Sequence, residues 1–91
     1  MDKRAQFITM VQTALLVKYA TEDVRDHTAP LARPMWAVSH LEDAFAVAEN
    51  LHPDVSAREA AEAFIRWTFQ HTLEPTDKTI LQILFRKGRA S

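Results

Sequence analysis

Apolar residues recur at helical spacing in four stretches of this chain, and the breaks between the stretches carry its prolines. Pro30, Pro34, Pro53 and Pro75 mark where helices start or stop, because the ring removes a backbone donor and clashes with the preceding turn. Between these positions Ala, Leu, Glu, Gln and Arg dominate, all good helix formers. The pattern predicts an all-α fold, a compact bundle of four helices spanning about 2–24, 34–51, 57–72 and 77–87.

Local chemistry sharpens the boundaries. Asp2 is placed to cap the first helix, and residues 25–33 form a connector. Pro34 suits the first turn of the second helix, which must end before Pro53. Ser56-Ala57-Arg58-Glu59 has the form of a capping box, with Val55 placed to staple onto Ala60. Thr76 or Asp77 can cap the fourth helix, Gly88 is a natural C-terminal cap, and Arg86 and Lys87 sit where cations favour the helix dipole.

The faces differ from helix to helix. The second helix has one apolar stripe, Ala37, Val38, Leu41, Ala44, Phe45, Ala48 and Leu51, opposite Ser39, Asp43 and Asn50. The third has Ala57, Ala60, Ala61, Phe64, Trp67, Thr68 and His71 on one side and Arg58, Glu62 and Arg66 on the other, with Phe69 stranded among the charges. The first helix breaks this pattern. Phe7, Ile8, Val11, Leu15 and Tyr19 form one stripe, Met10, Val17, Ala20 and Val24 lie on a second side, and Leu16 on a third. In the fourth, Ile80, Leu81, Ile83, Leu84 and Phe85 spread over roughly half the circumference. A helix apolar on several sides is either central in its bundle or covered by a partner. A short chain can surround few of its helices completely, so a homodimer or partner interface is expected on the first and fourth.

Composition bounds the rest. With 91 residues there is room for one domain and a thin core, and 47% hydrophobic residues argue against general disorder. Lys and Arg total 11 against 12 Asp and Glu; the net charge of −1 neither attracts nucleic acid nor opposes self-association. The absence of cysteine excludes disulfides, thiolate catalysis and Cys-ligated zinc. The stretch from Phe7 to Ala20 is too polar to span a membrane, and no cleavage site follows it, so a cytoplasmic location is expected.

Candidate chemistry is sparse. Glu49-Asn50-Leu51-His52 has the Glu-x-x-His spacing of di-iron bundles, but it occurs once where such sites need two and further glutamates. His71 lies on the apolar face of the third helix and is expected to pack there; His27 and His40 have no suggestive company. Glu59 and Glu62 share a helix face but lack converging carboxylates for magnesium, and Glu59 has a role in the cap. One glycine rules out a glycine-rich phosphate loop, and no serine sits in a nucleophile elbow. No catalytic residue, metal site or cofactor is therefore expected.

The reading that follows is a small non-catalytic interaction or regulatory protein, of the anti-activator, inhibitor or adaptor type, homodimeric and binding a protein partner. The expected contact residues are Met10, Val17, Val24, Phe69, Leu81 and Phe85. The alternative is a small DNA-binding regulator. Lys78, Arg86, Lys87 and Arg89 crowd the fourth helix, and the short turn after the third loosely resembles helix-turn-helix spacing. Against it, the would-be recognition helix is mainly Ile, Leu and Phe, which cannot read base edges by hydrogen bonding.

Overall fold

The computed structural model describes residues 2–22, 37–70 and 78–89, with side chains as far as Lys18 in the first stretch and Arg86 in the last. Within them lie four helices and no strand: α1 (Lys3–Glu22), α2 (Val38–Leu51), α3 (Ala57–Gln70) and α4 (Lys78–Arg89). The all-α bundle read from the sequence is the fold.

The caps explain where the helices begin. The Asp2 carboxylate accepts the Ala5 N–H at 2.7 Å, satisfying one of the donors a first turn leaves open. At α3 the capping box is formed in both directions. The Glu59 N–H donates to Ser56 Oγ at 3.0 Å, and the Ser56 N–H donates to Glu59 Oε1 at 3.4 Å. Just before it, the Val55 N–H donates to the His52 carbonyl at 2.9 Å, closing a turn with Pro53 at its second position. Turn and box together fold α3 back from α2 within a few residues. Val55 and Ala60 are both buried there, as a hydrophobic staple requires. The Lys3 ammonium donates to the Val55 carbonyl at 3.0 Å, fastening the start of α1 to this corner.

Two boundaries differ from the sequence reading. α2 begins at Val38, because Ala37 is extended (φ −63°, ψ 134°) and offers no side-chain cap. Ala37 and Val38 are consequently exposed instead of opening the buried stripe. At the other end of the chain, α4 continues through Gly88 to Arg89, so this glycine is helical and is not the left-handed cap. The connector 25–33, Pro34 and the capping candidates Thr76 and Asp77 lie outside the described residues.

Four phenylalanines, one from each helix, make the centre of the core. Phe7 of α1 meets Phe45 of α2 at 5.3 Å between ring centroids and Phe64 of α3 edge-on at 5.8 Å. Phe64 in turn meets Phe85 of α4 at 6.4 Å. Such aromatic pairs add to the stabilisation from burial alone, by about 0.5–1.5 kcal/mol each. Val11, Leu15, Leu41, Leu81 and Leu84 fill the space around them, and the alanines of α2 and α3 let the backbones approach.

The helices form a ring. α1 packs chiefly on α3 and also on α2, while α4 packs on α2 and α3; the two diagonal pairs barely touch. No helix is central. Among the described residues each has two neighbours and one side turned outward, which on α1 leaves Leu16 and Val17 exposed and Met10 half-buried.

Candidate functional site

The expected contact residues separate into three groups. Leu81 and Phe85 are core residues: each is almost fully buried, and Phe85 closes the aromatic chain. Their inclusion in a partner surface is corrected by the geometry of α4. Its two neighbours cover a wide arc, which takes in Leu81, Leu84 and Phe85 and leaves only Ile83 as a largely exposed apolar side chain on this helix. Val24 lies outside the described residues. Met10, Val17 and Phe69 remain. Met10 is half-buried against the core, Val17 is 59% exposed and Phe69 is 42% exposed.

Two of the three are linked through Lys18, which follows Val17 in α1 and contacts Phe69 of α3. Met10 and Val17 are seven residues apart, two turns of helix, and so share one side of α1. Lys18, next to Val17, reaches across to α3 and holds its ammonium 4.4 Å from the centre of the Phe69 ring. A cation over an aromatic face at this distance is attractive, and it keeps the exposed ring in place. Ile65, one turn before Phe69, is partly buried against the core.

Leu16, 45% exposed, extends the apolar surface around α1. Its spacing places it on a third side of α1, apart from the expected contact residues, and the fold turns that side to solvent. The stronger signal is the absence of charge. From Ala5 to Val17 the chain has no charged residue, and the side turned to solvent consists of Gln6, Thr9, Thr13, Leu16 and Val17. The outward sides of the other helices are charged: Asp43 and Glu49 on α2, Arg58, Glu59, Glu62 and Arg66 on α3, Lys78 and Arg86 on α4. On α3 an ion pair of 3.1 Å joins Arg58 to Glu62, and a looser contact of 3.7 Å joins Arg4 to Glu42 between α1 and α2.

Among the described residues no three His, Asp or Glu side chains converge as a metal would require. The His52 Nε2 atom lies 3.3 Å from the Phe85 carbonyl, a contact between the end of α2 and α4 in which Glu49 takes no part. His27 and His71 lie outside the described residues. A shallow groove of about 200 Å³ between α2 and α4 is lined by Asp43, Asn50, Leu51, Lys78 and Gln82 among others; it brings no nucleophile beside a base.

For the DNA-binding alternative, Lys78 and Arg86 are exposed at opposite ends of α4, about 12 Å apart along its axis. Between them the exposed residues are Thr79, Gln82 and Ile83. The side chains of Lys87 and Arg89, and the turn between α3 and α4, lie outside the described ones. No helix among the described residues is long and apolar enough to cross a membrane. No protein-family model matches this chain, and neither a curated protein nor a solved structure shows significant similarity to it.

Proposed function

We propose that this chain is a small, non-catalytic, cytoplasmic interaction protein that binds a protein partner through the outward side of α1 and its edge with α3. The type of action is that of an inhibitor, anti-activator or adaptor, and self-association is one form the binding takes. The observation that carries this reading is the uncharged outward side of α1 with Leu16 and Val17 exposed on it, next to Phe69. Removing such a side from water costs little, because no ion has to be stripped of its hydration, whereas the charged sides of α2, α3 and α4 resist being covered. Depletion of charge with exposed aliphatic and aromatic side chains is the composition found at the centres of protein interfaces.

The test compares three forms of the protein as bait in its native host, with mass spectrometric identification: wild type, Val17→Glu and Arg66→Glu. A partner, or the chain itself, retained by wild type and Arg66→Glu and lost with Val17→Glu is the expected result. Binding that survives Val17→Glu but fails with Arg66→Glu would place the contact on α3 and overturn the assignment.

A further inference from the structure

We draw no further inference here: the strongest candidate, the outward side of α1 where Leu16 and Val17 are exposed, belongs to the surface already described, and nothing in the structure shows what covers it.

Discussion

The solvent sides of α1 and α3 are close neighbours and chemically unlike. On α3, Arg58, Glu59, Glu62 and Arg66 face water, with an ion pair between the first and third. On α1 the equivalent side shows Gln6, Thr9, Thr13, Leu16 and Val17. Both helices bury a stripe of residues on their inner side, so the need for a core does not explain the difference. What differs is the cost of covering the outer side. Charged groups taken out of water lose several kcal/mol of hydration unless each is paired. Amide, hydroxyl and aliphatic groups lose far less. The bundle therefore has one side that another surface can close over and others that keep their water.

The two kinds of phenylalanine on α3 give the largest test of that contrast. Phe64 is buried between Phe7 and Phe85, while Phe69, five residues on, is held at the surface beneath Lys18. Phe64→Ala is expected to destabilise the fold by about 3–5 kcal/mol, since it opens a cavity at the centre of the bundle. Phe69→Ala is expected to cost less than about 1 kcal/mol, the value of an exposed cation–ring contact and little more. Urea denaturation followed by circular dichroism measures both. Equal losses would mean that Phe69 is a core residue, and the edge between α1 and α3 would cease to be a surface.

Next in size is the cap that starts α3. Ser56→Ala removes the oxygen that accepts the Glu59 N–H and should lower stability by about 1 kcal/mol, with Ser56→Asp retaining most of it. A smaller gain is expected at Thr68. This side chain is buried, and its hydroxyl has no hydrogen-bond partner among the described residues. Thr68→Val keeps the shape and removes the stranded hydroxyl, so stability should rise by up to about 1 kcal/mol. A loss instead would show that the hydroxyl is satisfied, and that α3 is less sharply divided into dry and wet sides than its pattern states.

Much of the bundle was legible because its signals are local. The Asp2 cap, the Ser56–Glu59 box and the stripe of Phe7, Val11 and Leu15 each depend on residues within a few positions of one another, and each is present. The start of α2 was less legible. Pro34 permits a first turn but does not compel one, and the extended Ala37 delays the helix to Val38. The surface was legible only in part. Spacing on one helix shows which residues share a side; it does not show which sides the neighbours cover. That depends on the ring order of α1, α3, α4 and α2, a property of the whole fold. Hence Val17 and Phe69, expected at a partner surface, are exposed, whereas Leu81 and Phe85, expected there on the same argument, are core. The charge-free run from Ala5 to Val17 is visible in the sequence and shows that the outward side of α1 carries no charge over this stretch, whichever side that is.

The measurement that bears most directly on the role of α1 is the solution mass of wild type, Val17→Glu and Arg66→Glu across a range of concentrations, by sedimentation or light scattering. Each variant is first checked for an unchanged helical spectrum. Both substitutions add a glutamate at an exposed position on different sides of the bundle, and Arg66→Glu, which also removes a cation, is the larger change of charge. Wild type is expected to dimerise at about micromolar concentration, Arg66→Glu to do the same, and Val17→Glu to be a folded monomer, because an unpaired charge entering a closed contact costs several kcal/mol. A dimer that persists in Val17→Glu and dissociates in Arg66→Glu would contradict this, because the side of the bundle that closes over another surface would then be the charged one.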